Sequence, residues 1–528
     1  MNYIRLKILF GCGLLFFLTI QCTDLTETPY TELSSSAYYQ NEDELASALT
    51  SVYDGYQSAF GGDNYWYTMI LEVVTEFNSP AYAKNNTDKY NAWNDINNAG
   101  DRTIKNCWAN GYEAINRANV VLARGENVEM DETLKNQYYG EARFLRALTY
   151  FNLVRLFGGL PIPESFTESL EGLEIPRQSV DATYDYIIDD LKWAEEHLPL
   201  KSQASEVWRA TKGAAQAVLG EVYLTLGSMN DDANSYSLAK QYCESVITSN
   251  EYSLEPDFKD LWYWWNTNNK NGKESVFELQ YGLYSGLYNN LHVMFGVNIT
   301  EKTLGCYMYR RFGPSIPFYL SYSDQDARKE GTFLTTINVT NSDGEVTNTL
   351  VYNPEELGYY PAASGWKTAS PGIIKYYDRT TESATLKQPR ANIYVLRYAE
   401  VLLNYSEAEN ELNGVTADAL KGINAVRNRA GLADLHSGLT QEQLADSIYR
   451  ERGWEFIGET KLYYDELRTN RIGENVETMF NKCKDMGIFM YKDYTLDFIP
   501  GKNFLWKIPE YDLDSNPALE QNPDNVSE

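Results

Sequence analysis

The sequence predicts a mainly α-helical protein in which a superhelical stack of helix pairs is interrupted by a loop-rich insertion. Apolar residues recur at helical spacing in two long regions, about residues 36–251 and 391–470. Between them, about residues 252–390 are rich in Trp, Tyr, Gly, Asn, Ser and Thr and contain only short strand-like stretches. Small and large residues also follow one another in the order of a helix-pair repeat, which favours stacking of successive helices.

The helices of the first region have recognisable ends. Asn41 is an acceptable N-cap for a helix that places Leu45, Leu49 and Val52 on one face. RTIKNCWANGYEAINRANVVLARG forms the next helix, and EARFLRALTYFNLVRLFGG follows and ends at two glycines before LPIP. The helical pattern continues through TYDYIIDDLKWAEEHLP, RATKGAAQAVLGEVYLTLG and YSLAKQYCESVIT.

Repeated small residues indicate that neighbouring helices approach each other closely. LGEVY, followed by AKQYCESV, has the small-and-large order of a tetratricopeptide helix pair, with Gly220 and Ala239 as the small residues. Ala408 and Ala419 repeat this order in the second region, within YVLRYAEVLLNYSEAENELNG and ADALKGINAVRNRAG. A further helix is expected in QEQLADSIYRERGWEFI, and the final segment, 500–528, is rich in Pro and Asn and therefore expected to be extended.

The N-terminus has the features of a bacterial lipoprotein signal. Arg5 and Lys7 precede an apolar run from Ile8 to Ile20, which is shorter than the roughly 20 residues that a membrane-spanning helix needs. The chain becomes polar immediately after Cys22. We therefore expect residues 1–21 to be removed and Cys22 to be acylated; ordinary secretion and an uncleaved anchor are the alternatives.

Composition excludes several classes of function. The 528 residues carry a formal net charge of −29, so the surface repels phosphate backbones and a nucleic-acid partner is not expected. Loss of the signal would make the chain more acidic still. No later apolar run is long enough to cross a membrane, so we expect the protein to sit on a membrane through its lipid.

Residue types that usually carry catalysis or metal binding show no diagnostic spacing. Beyond the signal, Cys107, Cys243, Cys306 and Cys483 are far apart and form no CxxC pair, which favours free buried thiols. With three histidines there is no HExxH motif, and the acidic residues around Asp512 lack the glycine of a calcium loop, so neither a cofactor nor a metal is expected. A glycosidase carboxylate pair is defined by distance in space and stays open.

Several stretches resemble the SusD/RagB family of outer-membrane nutrient-binding lipoproteins. They include CTDLTETP, EARFLRALTYFNLVRLFGGLPIP and RATKGAAQAVLGEVYLTLG. The more specific ones are RYAEVLLNYSEAENELNG, ALKGINAVRNRAGL, IYRERGWEFIGE and the ending LWKIPEYDLDSNPALEQNP. The last contains the Ile-Pro step and the Asn-Pro-x-Leu-x-Gln-Asn-Pro ending of the family, whereas 252–390 carries little resemblance.

The resemblance implies a right-handed superhelix of four tetratricopeptide-like helix pairs packed against a loop-rich part with small hairpins. Residues 22–528 would form one such domain, with a loop-rich ligand-binding insertion at about 252–390. It further implies a non-catalytic lipoprotein, anchored in the outer membrane and facing the cell exterior. The implied partners are a glycan and a SusC-like TonB-dependent transporter that receives it.

Aromatic residues in polar stretches are the candidate ligand contacts, because flat aromatic rings suit the apolar faces of sugars. In the family, the sugar-stacking tryptophan lies in the loop that Trp93 occupies, so the resemblance makes Trp93 the main candidate. The predicted ligand-binding residues are Trp93, Tyr65, Trp66, Tyr90, Tyr284, Tyr307 and Arg310. We expect the loops that carry them, around Tyr65–Trp93 and Tyr281–Arg311, to meet at one shallow face away from the lipid.

Alternative interpretations stay open for these residues and for the function. A loop aromatic can anchor its own loop instead of a ligand, and Arg310 can form a surface ion pair. The charged residues of YRERGWEF, namely Arg450, Glu451, Arg452 and Glu455, are expected to form a solvated face or an ion-pair network between helices. A surface glycoside hydrolase and a helical-repeat adaptor that binds peptides are the alternative functions.

Overall fold

A computed structural model describes most of the chain. The described residues are 38–80, 99–167, 172, 174–263, 269–282, 289–291, 295, 312–341, 343, 345–360, 370–378, 390–488 and 505–522. The predicted mainly helical fold class is confirmed. Within the described part of the chain, no helix is long and apolar enough to cross a membrane.

Long helices form the scaffold of the protein. Those before the insertion are α1 (Glu42–Phe60), α2 (Tyr65–Val73), α3 (Arg102–Arg124), α4 (Glu132–Phe157), α5 (Val180–His197), α6 (Lys212–Asn230) and α7 (Ala233–Thr248). The later ones are α8 (Ile316–Ser321), α9 (Ala327–Thr332), α10 (Tyr398–Asn413), α11 (Ala417–Arg429), α12 (Gln441–Phe456), α13 (Leu462–Arg468), α14 (Ile472–Asp485) and α15 (Glu510–Ser515).

The predicted helix ends are confirmed where capping chemistry was visible. The Asn41 side chain accepts a hydrogen bond from the Glu44 backbone N–H, 3.0 Å away, at the start of α1. Helix α4 ends at Gly158, whose φ of 75° is a backbone conformation that residues with a Cβ rarely adopt. Local signals therefore set these boundaries.

Neighbouring helices pack in chain order, with extensive contacts in the pairs α1–α3, α4–α5, α6–α7 and α10–α11. Helix α10 also packs on α7, so the stack continues across the insertion. A Cβ added to Gly220 of α6 would lie 2.8 Å from the Cys243 sulfur of α7, closer than real contacts allow. The small residue at position 220 is therefore required by the approach of the two helices, as its repeat position predicts.

Short antiparallel ribbons hold the loop-rich part together. The strands are β1 (Asn78–Pro80), β2 (Ser275–Leu279), β3 (Phe312–Pro314), β4 (Phe333–Leu334), β5 (Thr336–Thr340), β6 (Val346–Asn353), β7 (Gly358–Tyr360), β8 (Gly372–Ile373) and β9 (Ile393–Arg397). They pair as β1–β3, β2–β9, β4–β8 and β5–β6–β7. The β5–β6–β7 sheet thus forms the small hairpins predicted for the insertion, whereas the other three ribbons join distant segments of the chain.

A buried network of charges joins the insertion to the last helices. Arg397, at the end of β9, lies 2.6 Å from Glu274, 2.9 Å from Glu455 and 2.7 Å from Glu459. Arg328 of α9 pairs with Glu455 at 3.2 Å in the same network. These side chains are at most 2% exposed, so each charge depends on its partners.

The predicted interpretation of YRERGWEF as an inter-helix ion-pair network is confirmed for three residues. Glu451 pairs with Arg328 at 2.6 Å, and Glu455 pairs with Arg397. Arg452 lies 2.7 Å from Asp465 of α13. Although burial opposes ionisation, the surrounding arginines hold the pKa of Glu455 below its ordinary value.

The C-terminal segment is fastened to the end of α4. The Asn522 amide donates to the carbonyls of Phe157 and Trp506 at 2.9 and 2.7 Å, and its oxygen accepts from Arg177 at 2.8 Å. Gln521 bonds to both the N–H and the carbonyl of Ile508. The Gln-Asn pair of the terminal motif therefore serves the fold.

The cysteine prediction is confirmed for the cysteines that the structure describes. Cys107 and Cys243 are free and buried, and burial raises the pKa of both thiols; Cys483 is likewise buried. Cys306 lies outside the described residues, as does the predicted acylation site Cys22.

Candidate functional site

The β1–β3 ribbon brings together the two chain segments that carry most of the predicted ligand residues. Its register pairs Asn78 with Pro314, Ser79 with Gly313 and Pro80 with Phe312. Residues 81–98, with Tyr90 and Trp93, begin directly after Pro80. Residues 296–311, with Tyr307 and Arg310, end directly before Phe312. Both segments are therefore attached to the same end of one ribbon.

The base of a third segment, 283–288, packs against the turn between α1 and α2. The Gly62 N–H donates to the Tyr281 hydroxyl at 2.6 Å. A Cβ at Gly62 would lie 2.8 Å from the Asn289 side-chain oxygen. Tyr281 and Asn289 are buried and flank residues 283–288, which contain Tyr284. This close approach of the backbone requires glycine at position 62.

Further segments of the insertion have bases that the structure describes, some of them beside the same ribbon. Phe312 packs edge-on against Phe295, with ring centroids 4.8 Å apart. A Cβ at Gly313 would meet the Ser370 hydroxyl at 2.7 Å, and residues 361–369 end at Ser370. Asp378 accepts a hydrogen bond from the Arg390 N–H at 2.8 Å, which closes the base of residues 379–389.

Glu72 at the end of α2 fixes the ribbon to the helical scaffold. Its carboxylate accepts hydrogen bonds from the Asn78 amide at 2.6 Å and from the backbone N–H groups of Gly458 and Thr460 at 3.1 and 2.6 Å. Burial raises the pKa of Glu72 to about 7, although the two backbone donors oppose this change. One buried carboxylate thus links β1 with the loop after α12.

A polar cluster supports the neighbouring strand end. The Lys270 ammonium donates to the Tyr281 carbonyl at 2.7 Å, and burial lowers the pKa of Lys270 to about 8. The Gln280 and Asn271 side chains exchange hydrogen bonds at 2.9 Å, and Asn392 donates to Gln280 at 2.9 Å. These contacts hold the bases of residues 264–268 and 283–288 at fixed positions.

The structure places Tyr65 and Trp66 differently from the prediction. They are the first two residues of α2 and not part of a polar loop. Their rings lie 5.7 Å apart, and both are half-buried against the core. The sequence YWYTMILEV is apolar enough to continue as a helix immediately after Asn64, which outweighs the polar residues before it.

The other predicted ligand residues lie outside the described residues. They are Trp93, Tyr90, Tyr284, Tyr307 and Arg310. The described residues that adjoin their segments are the β1–β3 ribbon for four of them and the contact of Tyr281 with Gly62 for Tyr284. Their role in ligand binding stays a prediction.

Sequence reasoning missed the residues that build this base. Glu72, Gly62 and Asn289 carry no motif, and β1 and β3 are three-residue strands separated by more than two hundred positions. The one sequence signal for β1 was Pro80 in Asn78-Ser79-Pro80. A proline is tolerated at a strand position whose N–H is not needed as a hydrogen-bond donor, so it could have marked the end of a short strand.

The polar side chains of this base stabilise the fold. Its carboxylates, Glu72 and Asp378, accept hydrogen bonds from the protein itself. In the described ranges, no group of three or more His, Cys, Asp and Glu side chains is arranged to hold a metal ion. The arrangement can present several segments from one rigid platform, which suits recognition of an extended ligand.

Comparison with known proteins identifies the family. The SusD family model matches residues 273–524, and a second model, described as "Starch-binding associating with outer membrane", matches residues 25–224. SusD-like protein P2 from Formosa agariphila is 27% identical over 475 residues, which cover 87% of this chain and 89% of that protein.

Solved structures agree with this relationship. A SusD homologue from Bacteroides thetaiotaomicron superposes with a TM-score of 0.75 at 22% identity, covering 92% of this chain and 98% of the other. A laminarin-binding SusD-like protein superposes with a TM-score of 0.71 at 25% identity, covering 92% of this chain and all of the other. The two family models together match most of the chain, residues 25–224 and 273–524, and the chain therefore belongs to the SusD family.

Proposed function

We propose that the protein is a surface lipoprotein that binds a glycan through the segments rooted at the β1–β3 ribbon and delivers it, without chemistry, to a SusC-like TonB-dependent transporter. The observation that carries the proposal is the pairing of Pro80 with Phe312, which attaches the segments of Trp93 and Arg310 to one ribbon end. Family membership and a relative described as laminarin-binding support a carbohydrate ligand.

Trp93 is the proposed main stacking platform, with Tyr65, Trp66, Tyr90, Tyr284, Tyr307 and Arg310 as its neighbours. A stacked aromatic contact is worth about 1–3 kcal/mol in comparable binding sites. Loss of one such contact lowers affinity about tenfold to a hundredfold. Tyr65 and Trp66 begin α2 next to the turn at Gly62, which bonds to Tyr281, so their rings would border the site from a rigid element.

The deciding experiment is a polysaccharide panel on affinity gels, followed by titration of Trp93→Ala with the glycan that the unaltered protein binds. We expect the affinity to fall at least tenfold while the melting temperature is unchanged. Trp193→Ala, on scaffold helix α5, is the matched control and should bind normally. Unchanged binding by Trp93→Ala would remove Trp93 from the site. Release of new reducing ends from the polysaccharide would instead favour the hydrolase.

The membrane and transporter parts of the proposal have separate tests. The name of the second family model refers to the outer membrane, and the sequence places a lipoprotein signal before Cys22. Cys22→Ala should move the protein from the membrane to the soluble fraction. A lipid anchor raises the local concentration of the protein at a membrane partner, so a large β-barrel should copurify in mild detergent. Isolation without any barrel would contradict the transporter role.

A further inference from the structure

A small cavity lies at the opposite end of the β1–β3 ribbon from the aromatic segments. It measures about 60 Å³ and is lined by residues of α8, α12 and α14 together with Glu76, Phe77 and Ser315. The Ser315 N–H donates to the Phe77 carbonyl at 2.8 Å, so the floor is formed by the base of the ribbon. The cavity is therefore separate from the proposed stacking site.

Two positive side chains line this cavity beside the carboxyl group of Glu76. Arg450 of α12 and Lys482 of α14 are exposed, and in the described part of the chain neither has an acidic oxygen within 4 Å. This is unusual in a chain with a net charge of −29, whose arginines are elsewhere largely engaged in ion pairs. Unpaired cations beside a cavity provide attraction for an anionic group.

The acidic residues beside the cavity do not cancel this charge. The Tyr449 hydroxyl lies 2.8 Å from Glu76 and 2.9 Å from Glu466, and Asn475 donates to the same hydroxyl oxygen. Burial raises the pKa of both carboxyl groups, whereas the nearby charges of Arg450 and Lys482 lower that of Glu76. Of the two, only Glu76 lines the cavity, so it supplies at most one negative charge against the two positive ones.

Aromatic rings lie beside the cations. Trp454 is half-buried one helical turn after Arg450, and its indole N–H donates to the Ser321 hydroxyl at 3.0 Å. Phe318 is also half-buried and packs edge-on against Phe77 at 4.9 Å. The indole is thus held in one orientation with part of its surface exposed, as a stacking platform requires.

We propose that this cavity is a subsite for an anionic sugar unit. Its carboxylate or sulfate group pairs with Arg450 and Lys482, and the apolar face of its ring lies against Trp454. A cavity of about 60 Å³ admits a charged substituent but not a whole sugar ring, so the ring stays at the rim. The inference rests on the proposed glycan-binding function and specifies that the bound glycan is anionic.

The test compares anionic and neutral oligosaccharides on the intact soluble protein. Oligogalacturonate and sulfated carrageenan oligosaccharides serve as anionic probes, and gluco-oligosaccharides serve as the neutral probe. We expect an anionic probe to bind, with affinity that falls as salt is added because the attraction is screened. Lys482→Gln and Arg450→Gln should each weaken that binding about tenfold, since each removes one charge-assisted contact.

Lys484→Gln provides the matched control, because it makes the same change two residues along α14, outside the cavity lining. It should bind like the unaltered protein. Equal binding by Lys482→Gln and Lys484→Gln, or no binding of any anionic probe while a neutral glycan binds, would overturn the subsite alone. Failure to bind any carbohydrate would overturn the proposed function with it.

Discussion

The helical scaffold and the loop-rich part are stabilised in different ways. In the scaffold, helices of up to 26 residues bury continuous apolar faces and close around ion pairs such as Arg146–Asp190. In the loop-rich part, strands of two to eight residues are held by a few cross-strand pairs and by side chains that bond to the backbone. The comparison teaches that long apolar helix faces stabilise the first region, whereas the second depends on short ladders and on individual side-chain hydrogen bonds.

The largest expected effect is at the junction of the two regions. Arg397→Met removes the partner of three buried carboxylates, which leaves uncompensated charge inside the protein. We expect a loss of about 3–5 kcal/mol in the free energy of unfolding, measured by urea denaturation. Arg450→Gln, on the exposed face of α12, should change it by less than about 0.5 kcal/mol. If Arg397→Met changes the free energy of unfolding as little as Arg450→Gln does, the buried network does not contribute to stability.

A second test uses pH to examine the link between scaffold and ribbon. Because burial raises the pKa of Glu72 from 4.5 to about 7, the folded protein binds this proton more tightly than the unfolded chain. The stabilisation is complete below pH 4.5 and is lost as the pH rises to 7, by about 3 kcal/mol in total. Glu72→Gln should flatten this part of the stability curve. An unchanged slope would mean that Glu72 does not titrate in this range.

A smaller loss is expected at the C-terminal segment. Asn522→Ala leaves the buried carbonyls of Phe157 and Trp506 without donors, which should cost about 1–3 kcal/mol. Asp514→Ala, on the exposed side of α15, serves as the control and should be nearly neutral. If thermal melting does not distinguish the two variants, the terminal motif does not fasten the chain end.

The smallest effect on stability is expected in the segments that carry the proposed ligand contacts. Tyr90→Ala and Tyr307→Ala should change the free energy of unfolding by less than about 0.5 kcal/mol while weakening glycan binding. Calorimetry for stability and titration for affinity measure the two effects independently. A large loss of stability would reassign these tyrosines to anchoring their own loops.

The sequence determined the scaffold because its signals are local. Helical spacing, the Asn41 cap and the glycines after Phe157 are contained within a few turns, and the structure follows them. The close contact at Gly220 was also predictable, because a repeat places the small residue at a known point of a helix pair. Of the charged residues of α12, Glu451, Arg452 and Glu455 form the ion-pair network that was one of the two predicted arrangements, whereas Arg450 is exposed.

The base of the site was decided by tertiary structure. Pro80 and Phe312 meet although more than two hundred residues separate them, and a three-residue strand is too short to show periodicity. Tyr65 and Trp66 were assigned to a loop because their neighbours are polar, yet apolar burial extends a helix to include them. The hydrogen bond from the Thr460 N–H to Glu72 joins residues far apart in the chain, so the sequence near either residue does not predict it. Local patterns therefore determined which elements form, and only the folded chain determined which of them meet.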